Sequence, residues 1–314
     1  MKTIVMQNPL AEKYDHDNIA VAIGFFDGIH LGHQQVIHKM IDIAEEKQLK
    51  KAVMTFDPHP SVVLNHEMKR TTYVTPIEEK KEIFACMGID YLFIIPFTSS
   101  FANMSEQDFI RDYFTLNHVK HVIAGFDFTY GKYGKGNMLK LEDDKDGFDV
   151  TMVQKEMIDG DKISTTNILK ALKSGETKRA NAMLGRPYSI KGFVVQGEKR
   201  GRTIGFRTAN VMPKEDYVIP KVGVHAVRFK LLSQNKTYNG VCNVGYKPTF
   251  NDPSVNQLTI EVNIFDFDES IYGESVEVEW YEFIRDEKKF DGIDSLINQI
   301  QQDVIQSKDI LSNV

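Results

Sequence analysis

The chain has 314 residues, 42% of them apolar and 26% charged, which suits an ordinary globular protein long enough for two domains. Its formal net charge is −6. That argues against general affinity for nucleic acid or an anionic membrane, because backbone-directed binding needs an excess of Lys and Arg.

The first residues, Met1 to Met6, are briefly apolar and are followed by Glu12, Lys13, Asp15 and Asp17. That is unlike a secretion signal. No apolar run approaches the roughly 18 residues of a membrane span. Ile19 to Phe25 reads as a buried strand, and Leu31 to Gln48 as a helix. Ala52 to Phe56 reads as a second strand. Thr75-Pro76-Ile77-Glu78 predicts a capping box with Pro76 as the first helical residue and Gly88 closing the helix. Tyr91 to Pro96 is a third strand. Ser105 to Asp108 caps a further helix running to about Leu116, and His121 to Gly125 is a fourth strand. Strands alternating with helices predict a parallel α/β sheet.

From Ile163 the pattern turns helical: Ser164 to Lys173, then Glu176 to Leu184, with Gly175 and Gly185 as stops. The expected domains are 1–182 and 183–314. Beyond Pro187, β-rich runs at Ser189 to Val195, Val224 to Leu232, Tyr238 to Val244, Leu258 to Phe265 and Val276 to Phe283 predict a small barrel or sandwich. An amphipathic helix, about Ile293 to Leu311, closes the chain. Cys86 and Cys242 lie far apart and outside any metal-ligand spacing, so two free thiols in a reducing cytoplasm are expected. Oligomeric state has no signature.

The segment Gly24 to His33, GFFDGIHLGH, leaves a strand, turns on glycine and enters a helix. A helix N-terminus offers unpaired N–H groups and partial positive charge, which suits phosphate. His30 and His33 fall on one side of the first turn. They are either surface histidines at a helix start or donors that stabilise charge at an α-phosphorus. Zinc would need further ligands at metal spacing. Gly125 to Lys132 has one residue too many for a Walker A motif, and Tyr133 stands where Ser or Thr is needed. Thr55 to Pro60 follows a strand; it is a rigid turn or a ligand loop. Asp127 is a turn carboxylate or a ligand contact. Ser164, Thr165 and Thr166 are capping residues or phosphate donors.

In the second half, Gly197 to Phe206 is a glycine-punctuated loop with Lys199, Arg200 and Arg202. It reads as a solvated hairpin or a nucleotide-phosphate loop. In extended chain, Thr208 and Asn210 project to one side. Their oxygens are the hard type that Mg²⁺ takes. Glu261 alternates with Ile260 and Val262 in a strand. It is a solvent-facing carboxylate or a general base.

The string GFFDGIHLGHQ resembles the signature of HxGH nucleotidyltransferases. More specifically, it is similar to the bacterial bifunctional riboflavin kinase/FMN adenylyltransferase (FAD synthetase) family. Thr55 to Pro60 resembles that family's TFxPHP segment, Gly125 to Gly131 its GxDFxFG segment, and Ile163 to Thr166 the start of its ISSTxIR segment. Gly197 to Asn210 resembles the region of its PTAN motif, and Asn243 to Phe250 its N[IV]GxxPTF segment. The resemblance implies a Rossmann-like adenylyltransferase domain and a small β-barrel kinase domain with a terminal helix. The substrates it implies are ATP, riboflavin and FMN, with Mg²⁺.

By similarity, His30 and His33 are catalytic in the first domain. Gly24, Phe25, Asp27, Gly28, Gly32, Ser164, Thr165 and Thr166 bind its ATP, and Phe56, Pro58, Asp127 and Phe128 its flavin. In the second domain Glu261 is the base. Gly197, Lys199, Gly201, Arg202, Gly205, Thr208 and Asn210 bind ATP, Thr208 and Asn210 also hold the metal, and Arg285 binds flavin. Two positions depart from the family pattern. Leu169 stands in place of an arginine, and Lys170 beside it points about 100° away. Arg207 replaces the proline of PTAN, which is expected to loosen that segment. The implied alternatives are a chain that keeps one of the two activities, or a non-catalytic flavin-binding regulator.

Overall fold

The computed structural model describes residues 1–6, 16–64, 71–154, 157–158, 160–197, 205–248 and 256–314, with backbone alone at 247–248 and 256–257. They form two compact units, Met1–Thr165 and Thr166–Val314.

In the first unit, strands β1 (Lys2–Val5), β2 (Ile19–Ile23), β3 (Lys50–Asp57), β4 (Tyr91–Pro96) and β5 (Val119–Gly125) precede two short strands, β6 (Thr129–Tyr130) and β7 (Gly136–Asn137). β8 (Asp149–Val153) follows, then the short pair β9 (Met157–Ile158) and β10 (Asp161–Lys162). The main sheet runs β1-β4-β3-β2-β5-β8, and every neighbouring pair is parallel. The helices of this unit are α1 (Leu31–Glu46), α2 (Ser61–Leu64), α3 (Ile77–Cys86), α4 (Ser99–Ala102), α5 (Glu106–Phe109) and α6 (Met138–Asp144).

Helices cover both faces of a parallel sheet, so its central strands are apolar on both sides. β2 is buried along its whole length. Ile19, Val21 and Ile23 face a core rich in aromatic rings, including Phe93, Phe101, Phe109, Tyr113 and Phe114. Ala20 and Ala22 face the other core, where α1 contributes Val36, Ile37, Met40, Ile43 and Ala44, and α3 contributes Phe84.

Two local expectations need correction. The helix after Ser105 begins as predicted, with Ser105 Oγ accepting the Asp108 amide at 3.1 Å. It does not continue as a uniform α-helix. A π-helical stretch, Ile110–Phe114, and a 3₁₀ turn, Thr115–Asn117, follow α5. The wider turn sets Ile110, Tyr113 and Phe114 in the core. The capping box before α3 does not form. Pro76 is the N-cap and makes no side-chain cap bond. The Thr75 amide is taken by Asp27 Oδ1 at 2.8 Å, and Glu78 pairs with Lys81 at 2.6 Å instead of reaching back.

The second unit opens within α7 (Thr165–Ser174) and continues through α8 (Thr177–Leu184). Strands β11 (Tyr188–Val195), β12 (Ala209–Pro213), β13 (Gly223–Leu231), β14 (Lys236–Pro248), β15 (Asn256–Ile264) and β16 (Ser275–Arg285) then close a barrel in the order β11-β12-β15-β14-β13-β16. All neighbours are antiparallel. Closure removes the open edges that a sandwich would leave. Phe229, Val276, Val278 and Trp280 are fully buried.

Helix α9 (Ile293–Ser312) lies on the outer wall. Its Val304 packs on Val224, Val241 and Phe265, and its Ser307 Oγ donates to the Gly240 carbonyl at 2.9 Å. Among the described residues no helix is long and apolar enough to cross a membrane. Cys86 is exposed, Cys242 is buried, and neither is bonded to the other.

Candidate active sites

In the sheet unit, β3 lies on one side of β2 and β5 on the other. Ligands of open α/β sheets bind beyond the strand C-termini at such a reversal. The loops that leave β2, β3 and β5 there are the ones singled out in the sequence.

The chain leaves β2 through a tight turn in which Phe26, Gly28 and Ile29 take φ of 52°, 88° and 40°. Such values are unfavourable for Phe and Ile. Burial holds them: Phe26 is 2% exposed and Ile29 is 0%. The turn delivers His30 as the N-cap of α1, and its Nδ1 accepts the His33 amide at 3.2 Å. Because Nδ1 is the acceptor, the neutral His30 ring carries its proton on Nε2, as a donor.

The His33 ring stacks on His30, with centroids 3.6 Å apart and planes 16° off parallel. Burial holds His33 well below the usual imidazole range, and the His30 ring and the Lys80 ammonium add to the effect. Among the described residues the buried His33 Nδ1 has no hydrogen-bond partner. A buried polar atom left unpaired is unfavourable, and the pair stands at the positive end of a 16-residue helix, where an anion is favoured.

Asp27 is fully buried. Its carboxylate accepts the Val74 and Thr75 amides at 3.3 and 2.8 Å, and its carbonyl accepts Thr165 Oγ1 at 2.9 Å. It therefore braces the turn from beneath. Phe25 is half-buried, with the His59 ring edge-on at 4.5 Å. Lys80, which sequence reasoning missed, is 2% exposed and donates to the Phe25 carbonyl at 2.6 Å.

After β3, Phe56 is buried against Phe97 and Phe101 as part of the core, so its ring is covered by the protein's own rings. Pro58 is half-buried in the loop beside it. After β5, Asp127 is exposed and pairs with Lys162 at 2.8 Å; Phe128 is half-buried, its ring 6.0 Å from that of Tyr130. Ser164 and Thr165 are half-buried, and Thr166 is exposed as the first residue of the other unit. Leu169 is half-buried and Lys170 exposed on α7.

In the barrel unit, Glu261 on β15 stands between Asn210 on β12 and Asn243 on β14. A cavity of about 350 Å³ lies between this outer wall and α9. Its polar lining includes Glu261, Asn243, Thr208 and Arg285, with Glu287, Lys288 and Asp303; its apolar lining includes Val224, Val241, Phe290 and Leu296. Arg285 is held by Asp303 of α9 through two bonds, Nε to Oδ1 at 2.9 Å and Nη2 to Oδ2 at 2.7 Å. Gln299 donates to the same carboxylate at 3.0 Å.

A second cavity, of about 240 Å³, is lined by Arg207, Thr208, Phe267, Asp268 and Tyr272 among others. Thr208 therefore borders both. A side chain at Gly197 would collide with Asn210, and Gly205 takes φ +84°. Lys199, Gly201, Arg202, Thr249 and Phe250 lie outside the described residues.

The loosening expected from Arg207 is countered by tethers. Its carbonyl accepts Asn263 Nδ2 at 2.7 Å, and its guanidinium donates to the Asp268 carbonyl at 3.0 Å. Among the described residues no three His, Cys, Asp or Glu side chains cluster as metal ligands.

Residues 12–167 match the family model described as FAD synthetase, and residues 184–311 match the one described as riboflavin kinase. The bifunctional riboflavin kinase/FMN adenylyltransferase of Listeria monocytogenes is 48% identical over 305 residues, covering 96% of each chain. The protein of the same description from Bacillus subtilis is 46% identical over 316 residues, covering 100% of this chain and 99% of that one. A crystal structure described as a macrolide-efflux protein from Streptococcus pneumoniae is 33% identical, with a TM-score of 0.88 over 98% of both chains. The chain belongs to the bifunctional riboflavin kinase/FMN adenylyltransferase family.

Proposed function

We propose that the barrel unit transfers the γ-phosphoryl group of ATP to the 5′-hydroxyl of riboflavin, and that the sheet unit joins AMP from ATP to the resulting FMN, releasing pyrophosphate and giving FAD. The stacked His30–His33 pair at the start of α1, with its buried unpaired nitrogen, is the observation that supports this most strongly.

In adenylyl transfer, the FMN phosphate attacks the α-phosphorus of ATP, and negative charge builds on the non-bridging oxygens. His30 Nε2–H and the first amides of α1 are donors fixed before the reaction begins, so little reorganisation is needed as that charge develops. Burial biases His33 toward its neutral form in the free protein. A polyanion beside it favours the protonated ring. The loops after β3 and β5 flank the turn and are the proposed flavin side, with Pro58, Asp127 and Phe128.

In phosphoryl transfer, Glu261 accepts the proton of the attacking hydroxyl. The cavity beneath α9 combines apolar walls for a flat ring with Glu261 and Arg285 at its polar lining. The neighbouring cavity beyond Thr208 is the proposed place of the nucleotide. Magnesium belongs to the same proposal. Thr208 and Asn210 offer one hard oxygen each, a set that fits an ion brought in by phosphates rather than one held by the protein alone. The ion supplies neutralisation of the polyphosphate charge.

Incubation with riboflavin, ATP and Mg²⁺, followed by separation of the flavins, tests the reading. FMN and then FAD are expected. FMN without FAD would leave a kinase alone, and FAD made only from added FMN would leave an adenylyltransferase alone.

A further inference from the structure

We propose that Lys80 is a positioning residue for adenylyl transfer, its ammonium joining the phosphate-side turn to the flavin-side loop through Phe25. The inference rests on the adenylyl-transfer reading of this site.

Lys80 sits on α3, a helix with four other charged side chains, yet is 2% exposed. Lysine is almost never buried unless its charge is partnered. Its Nζ lies 2.6 Å from the Phe25 carbonyl oxygen and 4.2 Å from the centre of the Phe25 ring. Thr55 Oγ1, near the end of β3, donates to the same carbonyl at 2.9 Å. The His59 ring meets the Phe25 ring edge-on from the loop beyond. Phe25 is thus gripped by α3, by β3 and by the loop after β3, while its own backbone leads into His30 and His33.

Thr55 satisfies one lone pair of that carbonyl and Lys80 the other, so two elements fix Phe25. A cation at this point does more. It adds positive charge, from a buried position, to a neighbourhood proposed to hold two anionic substrates. Burial is the main influence on the nearby His33, His59 and Asp57, lowering the two imidazoles and raising the carboxyl; the Lys80 charge adds to the first effect and offsets part of the second.

Lys80→Met removes the charge and keeps most of the stem. The kcat/KM for FAD formation from FMN is expected to fall about 10- to 100-fold, the scale of a lost preorganised electrostatic contact. Riboflavin phosphorylation by the same molecules is expected to stay unchanged and reports that the barrel unit is folded. Should Lys80→Met leave the sheet unit unfolded, Lys80→Gln takes its place. It retains a donor for the Phe25 carbonyl without the charge, and the same loss is expected. Lys80→Arg restores a cation with a bulkier head and is expected to recover part of the loss.

The His33 ring is a second readout, and Lys80→Arg is its control, because loss of packing would also relieve the burial that lowers His33. Among the described residues, the groups acting on it are His30, Lys80 and the Phe26 ring edge. Its proton affinity, followed by NMR, is expected to rise in the neutral variants. Neutral variants with unaltered FAD formation would overturn the inference, as would a folded Lys80→Arg as poor as Lys80→Met. If the unaltered chain makes no FAD from FMN, the adenylyl-transfer reading itself fails and takes the Lys80 role with it.

Discussion

A β-carbon at Gly32 would lie 3.3 Å from Cε1 and 3.4 Å from Nδ1 of His30. Contacts that tight force the neighbour to give way, and the neighbour is the ring that stacks on His33. Gly32→Ala is therefore expected to lower FAD formation about tenfold, the cost of misaiming one donor, while riboflavin phosphorylation holds. Steady-state kinetics of both reactions checks this. The histidine pair was legible because its chemistry is local: two rings one turn apart, with glycines around them. Lys80 was not. It occupies one of several charged positions in Ile77–Cys86, and only tertiary packing decides that its side chain, and not that of Lys81, is buried. Asp27 was legible as a special residue, but the described structure commits its carboxylate to the Val74 and Thr75 amides.

The interior strands of the sheet announce themselves as apolar runs, because a parallel strand covered on both faces must be apolar throughout. The sheet's two edge strands, Lys2–Val5 and Asp149–Val153, went unpredicted. Each pairs on one side only and is largely exposed or half-buried, so neither carries that run. β12 is short and half-buried, and alternation over so few residues is weak. At the other end of the chain, α9 was legible from its period, but its partner surface was not. The Arg285–Asp303 pair ties it down, with side chains 16% and 4% exposed. Asp303→Ala would leave a mostly buried guanidinium without its carboxylate, a change that costs about 3–5 kcal/mol. Loosening of α9 is expected to follow, with a raised KM for riboflavin. Urea unfolding and kinase kinetics check the two parts.

At the scale of the whole molecule, buried histidines in both units make the chain acid-sensitive. His225, fully buried with Nε2 2.7 Å from the Lys221 carbonyl oxygen, is pushed down to about 4, chiefly by burial. His16, His33, His59 and His121 are also lowered. The unfolded chain takes up these protons near pH 6.5. The folded barrel resists doing so at His225 until about pH 4. Between those values the unfolded state binds more protons, so stability falls as pH falls. His225 alone contributes about 2–3 kcal/mol of that loss by pH 4.5. Denaturant unfolding of the barrel at pH 7.5 and 4.5 is expected to show the loss, and His225→Leu is expected to reduce it.

Each unit has its own core and its own candidate site, so the two reactions should be separable by single substitutions. His33→Asn and Glu261→Gln, each assayed for FMN formation from riboflavin and for FAD formation from FMN, test that most directly. His33→Asn is expected to keep phosphorylation and lose adenylylation by about two orders of magnitude or more, and Glu261→Gln to do the reverse. Loss of both activities from a folded variant, or of neither, would contradict two independent sites on one chain.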